Sequence, residues 1–333
     1  MKRLLIITMM MLSLMGCNAQ SVLAPADYQE ALCHDPNGLL LDVRKADEYV
    51  AGHLDGALNM DWLNTPRFNE QAATLDTNKT LYLYCRSGRR SAAAAKYLTD
   101  LGFKTIDLQG GILAWQQAGL PTTTYESDVF FTRNGKRIVV TPIKHGTLML
   151  SLDGKVLHID PVAMFGTDYS RLPKADAILV THDHQDHYDA ALVQRISKDG
   201  TLLIHGNLKA GKSKRLGDIT ITATPAYNIT DGHTQFHPKG VGVGFIIEMD
   251  GFRIYVAGDT EDIPEMSSLH SPDLAFLPVN QPYTMTPSQC IHAIEMCRPR
   301  IVYPYHFGET DLTPITDRFA NDSTIEIRIK PLQ

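Results

Sequence analysis

A parallel α/β body, followed by a sandwich of short strands with helices on its outer faces, is the architecture this sequence predicts. Three observations carry that reading. The chain has 333 residues, enough for two domains at roughly 100–200 residues each. Its first third alternates short apolar runs with helical patterns, as a parallel sheet flanked by helices does. The rest is crowded with strand-like runs separated by Gly and Asp turns. A hydrophobic fraction of 44% fills ordinary cores and excludes wholesale disorder. The formal net charge is −6, and neither body is basic, which argues against strong non-specific nucleic-acid binding. Five cysteines (Cys17, Cys33, Cys85, Cys290, Cys297) in so long a chain make no disulfide scaffold.

Residues 1–16 read as an address. Lys2 and Arg3 precede the apolar run Leu4 to Met15, which at 1.5 Å per residue gives about 18 Å of helix, short of the roughly 30 Å hydrocarbon core. The charge-then-apolar order is that of a secretory signal. Leu14-Met15-Gly16-Cys17 resembles the bacterial lipobox, which implies a lipidated Cys17 as the first mature residue. Asn18 after it points to the outer membrane of a Gram-negative cell, with the protein facing the periplasm. Cys290 and Cys297 lie on a helix that starts at Thr286-Pro287. Seven helical residues set them about 10 Å apart, too far for a disulfide. Those two and Cys33 are expected as buried, small apolar residues.

The first body spans residues 23–122. Residues 39–43 and 80–84 are apolar runs bounded by polar turns, as buried parallel strands are. Ser91 to Leu101, ending in Gly102, is a helix with a C-terminal glycine. Cys85 therefore falls at the carboxyl end of a strand and just before a helix, where open α/β sheets place their sites. Arg86, Arg89 and Arg90 surround the thiol, and the helix N-terminus offers free N–H groups, so a depressed thiol pKa and a nucleophilic thiolate are expected. Gly88 lets the loop curl into an anion nest.

The motifs of this body resemble those of a rhodanese domain. Leu41-Asp42-Val43-Arg44, Glu48-Tyr49, Gly52-His53-Leu54, Gly56-Ala57 and Asn59 match its first signature, and Gly110-Gly111, Trp115, Gly119 and Pro121 its closing one. Cys85-Arg86-Ser87-Gly88-Arg89-Arg90-Ser91 resembles the active loop. The resemblance implies that Cys85 takes a sulfane sulfur from a donor, holds it as a persulfide and passes it to a thiol acceptor. Arg86, Ser87, Gly88, Arg89 and Arg90 would then line the substrate cradle, with Arg86 and Arg90 assisting catalysis. Asp42 and Arg44 read as a structural ion pair.

A linker from Pro121 leads to the second body at residues 130–333. After the apolar run Ala177–Thr181 comes His182-Asp183-His184-Gln185-Asp186-His187. His182 and His184, two apart in an extended segment, leave on one face, and Asp186 and His187 follow at the turn. That donor set is enough for two adjacent metals. Asp259 and His306 each end another apolar run, so donors from three strand ends can converge. Nitrogen and oxygen donors suit two divalent ions, zinc first, with manganese or iron as alternatives. Two ions about 3.5–4 Å apart generate hydroxide and clamp a displacement.

This pattern resembles the metallo-β-lactamase fold, an αββα sandwich. The resemblance implies metal ligation by His182, His184, Asp186, His187, Asp259 as bridge, and His306, with Asp186 also at the catalytic centre. Lys144-His145-Gly146-Thr147 and Asp160-Pro161 resemble a branch of small metal-dependent hydrolases. One departure stands out. The superfamily's third histidine of the first metal is replaced at its usual place by Asn228, with His233, His237 and His205 as alternatives in sequence; Asn228 facing the site and His237 contacting metal or substrate is the preferred reading. His145 either lines the pocket or is structural. A lipid-anchored sulfurtransferase joined to a dinuclear hydrolase of ester, thioester, lactone or phosphodiester bonds in a small molecule is the leading function. A one-iron persulfide dioxygenase fused to a rhodanese is the enzyme alternative, and a rhodanese module used for docking alone is the non-enzyme one.

Overall fold

The computed structural model describes residues 20–332. The expected signal segment and Cys17 lie outside them.

The first body runs β1 (Gln20–Leu23), α1 (Pro25–Cys33), β2 (Gly38–Asp42), α2 (Ala46–Val50), β3 (Leu58–Asn59), α3 (Thr65–Ala72), β4 (Thr80–Tyr84), α4 (Arg89–Asp100), β5 (Lys104–Leu108) and α5 (Gly111–Gln117). Its five strands are all parallel, in the order β1-β5-β4-β2-β3. Side chains alternate across each strand, so every central strand serves two cores. Leu41, Leu81 and Leu83 face α3 and α4 with Phe68, Ala94 and Leu98. Leu40, Tyr82 and Tyr84 face α1 and α5 with Tyr28, Leu32 and Trp115.

The second body runs β6 (Asp128–Phe131), β7 (Arg137–Lys144), β8 (Thr147–Leu152), β9 (Lys155–Ile159), β10 (Ala175–Val180), α6 (Ala190–Ile196), β11 (Ser197–His205), β12 (Ser213–Leu216), β13 (Ile219–Ala226), β14 (Gly242–Met249), β15 (Phe252–Val256), β16 (Leu274–Pro278), α7 (Pro287–Cys297), β17 (Ile301–Tyr305), α8 (Thr313–Phe319) and β18 (Glu326–Ile327). A six-stranded sheet, β11-β10-β9-β8-β7-β6, faces a seven-stranded one, β12-β13-β14-β15-β16-β17-β18. Leu148, Leu150, Ala177 and Leu179 enter the core shared with Ile221, Phe245 and Ile254, while Met149, Ile178 and Val180 turn outward onto α6. Helix α7 starts as expected: Thr286 Oγ1 accepts the Gln289 N–H in a capping box.

The linker gives way near its expected end to β6, which pairs antiparallel with β7 from Asp128 onward. Its Phe130 packs on Phe252 of the other sheet, with centroids 5.9 Å apart, which ties the segment to the sandwich. Cys33 is not a core residue but half-buried, its Sγ 3.9 Å from Asp153 Oδ1 of the second body. Cys290 and Cys297 are free and buried. Reciprocal backbone bonds between His53 and Thr123 at 2.7–2.8 Å tie the linker to the first body. The two bodies meet through Arg171 Nη1, which donates to Ala51 O at 3.0 Å, and Thr141 Oγ1, which donates to Asp55 Oδ1 at 3.2 Å. No described helix is long and apolar enough to cross a membrane.

Candidate metal centre and thiolate loop

The histidine-rich site is assembled from the ends of both sheets. His182 to His187 follow β10, Asp259 follows β15 and His306 follows β17, while His145 sits in the β7–β8 turn and His237 in the loop after β13. Three groups of donors have ligand atoms within 4.8 Å of one another: His182, His184 and His237; His145, Asp186, His187 and His306; and His182, His187 and Asp259. In the first, His184 Nδ1 is 3.0 Å from His182 Nε2 and 3.3 Å from His237 Nε2. In the second, Asp186 Oδ2 is 3.1 Å from His145 Nε2 and 3.4 Å from His306 Nε2. Asp259 touches both: Oδ2 lies 3.3 Å from His237 Nε2 and 3.5 Å from His306 Nε2, and Oδ1 lies 3.5 Å from His187 Nε2.

The arrangement fits divalent cations. His187 Nε2, His306 Nε2 and Asp259 Oδ1 are buried and have no hydrogen-bond partner, although buried polar atoms are nearly always paired. The charges agree. Burial and then His187 push the pKa of His182 down to about 2, so it stays neutral with a free lone pair. Burial opposes charge on His187 too, yet the Asp259 and Asp160 carboxylates raise it to about 9. Burial would raise Asp259, but His306, His187 and His182 hold it well below the carboxylate range. Carboxylates buried among these imidazoles make a site that favours added positive charge, as metal sites do.

A supporting layer fixes the imidazoles. His187 Nδ1 donates to Asp160 Oδ2 at 2.7 Å, and Asp160 also accepts from the Thr181 N–H and hydroxyl at 2.7 and 2.6 Å. That leaves His187 Nε2 pointing inward. His237 Nδ1 donates to Tyr283 O at 3.0 Å, freeing its Nε2 likewise. His145, Asp160 and His306 all have positive φ, at 53°, 46° and 48°, a conformation costly for non-glycine residues and concentrated at functional sites. Gly146 is needed beside them: a Cβ there would stand 2.8 Å from the His187 ring.

Of the candidates for the third position, one lies beside His182 and His184. His237 joins His182 and His184, while the Asn228 side-chain amide donates to His233 O and Tyr283 O. Asn228 thus braces the loop that carries His237. His233 turns to Glu261, at 3.1 Å. His205 bonds Asp183 and stacks on Tyr188 at 4.0 Å. His145, left between two roles by the sequence, is in the second group. Asp160 stands in the Asp160-Pro161 motif, and its place beside His187 rests on a positive φ before proline, which residue patterns do not show.

The Cys85 loop is local. Cys85 Sγ accepts the Gly88 N–H at 3.2 Å and the Ser91 hydroxyl at 3.5 Å. Burial alone would raise this thiol, but the Ser91 hydroxyl and the N–H groups of Ser91, Ser87 and Gly88 bring it below its ordinary pKa. Part of the expected arginine contribution is present: the pKa of Arg90 is raised by its bond to Glu48 and also by the nearby Cys85 thiolate. Arg86 and Arg89 are exposed, and Arg90 is held by Glu48 in a bidentate pair at 2.7 and 2.8 Å. Glu48 is pulled down to about 2, mainly by that bond. Gly111 (φ +61°) lets α5 approach the loop, since a Cβ there would meet Cys85 O at 2.5 Å. Asp42 and Arg44 form a buried pair at 2.6 Å, away from the thiol's hydrogen bonds.

Comparison with known proteins agrees with both halves. The model of the Beta-lactamase superfamily domain matches residues 139–306, and that of the Rhodanese-like domain matches residues 25–118. A UPF0173 metal-dependent hydrolase of Archaeoglobus fulgidus is 30% identical over 216 residues, covering 58% of this chain and 92% of its own length. One of Rubrobacter xylanophilus is 29% identical over 226 residues, covering 57% and 91%. The crystal structure of a Parabacteroides distasonis protein assigned to the metal-dependent hydrolases is 44% identical, with a TM-score of 0.61 over 63% of this chain and 100% of that one. The chain belongs to the beta-lactamase superfamily, among the UPF0173 metal-dependent hydrolases, and carries a Rhodanese-like domain in front of that fold.

Proposed function

We propose that the chain is a two-centre enzyme, a dinuclear metal-dependent hydrolase joined to a sulfurtransferase. The observation that carries the first half is Asp259: a buried carboxylate within reach of His237 on one side and of His187 and His306 on the other. His182, His184 and His237 would hold one ion and Asp186, His187 and His306 the second, with Asp259 shared. Imidazole and carboxylate donors favour zinc, with manganese or iron as alternatives. Two bound divalent ions would polarise the scissile bond and lower the pKa of water.

The protein's own groups define the rest of the site. Asp160 and Tyr283 O fix the tautomers of His187 and His237. Asp186, half-exposed, is kept ionised against burial by His145 and His306, so it contributes charge rather than a proton. His184 is exposed and Asp186 half-exposed, which leaves the approach for a small ester, thioester, lactone or phosphodiester on their side. The net negative charge of this body disfavours nucleic acid as substrate.

In the other domain the Cys85 thiolate attacks the outer sulfur of thiosulfate; the S–S bond breaks, sulfite leaves, and Cys85 carries a persulfide. A thiol acceptor then takes that sulfur and regenerates the thiolate. Cys17 would anchor the chain by lipid to the outer membrane, facing the periplasm; Cys17→Ser should abolish labelling by a radioactive fatty acid, and unchanged labelling removes the anchor.

The decisive experiment is metal per chain by mass spectrometry after dialysis, with a panel of ester, thioester and phosphodiester substrates. A ratio near two with hydrolysis is expected. One iron per chain, unchanged by Asp186→Ala, would favour the persulfide dioxygenase.

A further inference from the structure

One cavity among the described residues lies away from both reactive centres. It is a cleft of about 1090 Å³ between the two bodies. One wall is apolar, with Leu32, Leu40, Leu54 and Trp115 from the first body facing Val139 and Met149 from the second. Into it reaches Arg137, the first residue of β7.

Arg137 is 9% exposed. No hydrogen bond or ion pair within the described residues reaches its guanidinium, and its buried Nε has no partner. Of the acids on the walls, two have lysine partners, while Asp55 is the carboxylate whose charge acts on Arg137. Asp55 accepts from the hydroxyls of Ser127 and Thr141. Asp153 pairs with Lys136 at 3.8 Å, and Asp176 with Lys198 at 3.0 Å. The guanidinium is pinned from behind: at Gly56 (φ +76°) a Cβ would stand 2.8 Å from Arg137 Nη2. Burial lowers the pKa of Arg137, and Asp55 only partly offsets it. A charge without a hydrogen-bond partner taken out of water is costly. Here it lines an open space with a buried apolar floor and a rim that carries Glu30, Lys155, Lys174 and Asp176. Clefts of this size at domain junctions are where small ligands bind.

We propose that this cleft binds an amphipathic monocarboxylate, its carboxylate on the Arg137 guanidinium and its apolar body along Leu54, Trp115, Val139 and Met149. The planar fork of arginine suits a carboxylate bidentately, and the apolar walls select against a fully polar anion. The site is independent of the function proposed for either reactive centre.

The test uses the full chain and three probes of one chain length: dodecanoate, dodecan-1-ol and dodecylamine, below their aggregation limits, by titration calorimetry. Dodecanoate should bind one per chain, at least tenfold tighter than the alcohol or the amine. Arg137→Gln should remove that preference, leaving dodecanoate and dodecan-1-ol equal. Should that variant fail to fold, a diazirine-bearing dodecanoate on the wild type decides: adducts should fall on segments around Leu32, Leu54, Val139 or Met149. No binding of dodecanoate to the wild type, equal binding of acid and alcohol, an acid preference that survives Arg137→Gln, or adducts scattered elsewhere would each overturn the proposal.

Discussion

The two reactive centres are built in opposite ways. Around Cys85, the groups that stabilise the thiolate come from Ser87 to Ser91, the next few residues along the chain. The histidine-rich centre draws on the β7–β8 turn, the segment after β10, the loop after β13 and the ends of β15 and β17, from both sheets. A local site tolerates changes in the fold around it, because its geometry is set by one turn and one helix start. A distributed site is hostage to every element that delivers a donor. Single changes should therefore act within one centre and leave the other untouched, and the distributed one should be lost in more ways.

The largest effects test that separation. Asp259→Ala removes the carboxylate shared by both donor groups, so metal affinity should fall by more than about 100-fold, beyond the 10–100-fold typical of an outer-layer change. Hydrolysis should be lost while thiosulfate:cyanide sulfur transfer remains at the wild-type rate. Cys85→Ser should do the reverse, abolishing sulfur transfer with metal per chain unchanged. Metal loss in Cys85→Ser, or a sulfur-transfer defect in Asp259→Ala, would show that the centres are coupled.

Next comes Asp160→Asn, which touches no donor group's open side. An amide keeps the size but can present its NH₂ to His187 Nδ1, so the imidazole is no longer held with Nε2 inward. Metal affinity should drop roughly 10–100-fold, read by competition with a chromogenic chelator. An unchanged affinity would mean that His187 is oriented by packing alone.

How far each centre could be read in advance follows from the same contrast. Cys85 to Ser91 was legible as a unit, because the helix start and the nest are sequence-local; the hold of Glu48 on Arg90 was not, since it comes from a partner 42 residues away. His182 to His187 was legible for the same local reason. His237 was one name among four, because the loop of 15 residues between β13 and β14 can aim either of its two histidines inward and His205 ends a separate strand. His145 and Asp160 owe their places to positive φ at strand ends, which composition does not announce. The cleft at Arg137 needs both bodies at once and left no trace in either half. The parallel and sandwich sheets themselves were plain, since their two-sided strands alternate between cores.

A smaller effect probes the local centre. Because Cys85 has a depressed pKa, alkylation by iodoacetamide should reach half its limiting rate at a pH below the roughly 8.5 of a free thiol. Ser91→Ala removes the hydroxyl, the largest stabilising contact, and should move that midpoint up. The sign for stability follows: the thiolate's contribution is present above the unfolded thiol's pKa and is lost as pH falls through the folded one. A midpoint unchanged by Ser91→Ala would assign the shift to backbone N–H groups alone.

The smallest expected effect is that of Glu48→Gln, which unties Arg90. The pair is bidentate, but both side chains are partly exposed, at 27% and 20%, so water screens it and about 0.5–1 kcal/mol of stability is the expected loss in urea titration. Glu48 is depressed to about 2, so its contribution is present above the unfolded value near 4.3 and disappears as pH falls towards 2. Wild type and variant should therefore differ at pH 7 and converge at pH 2. Sulfur transfer sharpens the comparison between the centres. Untethered, Arg90 is free to turn towards the anionic donor and the Cys85 thiolate, so KM for that donor should change by a few-fold while kcat moves less. A fall in kcat with constant KM would place Arg90 in the chemical step, and the loop would then depend on Glu48 of α2 and not on its own residues alone.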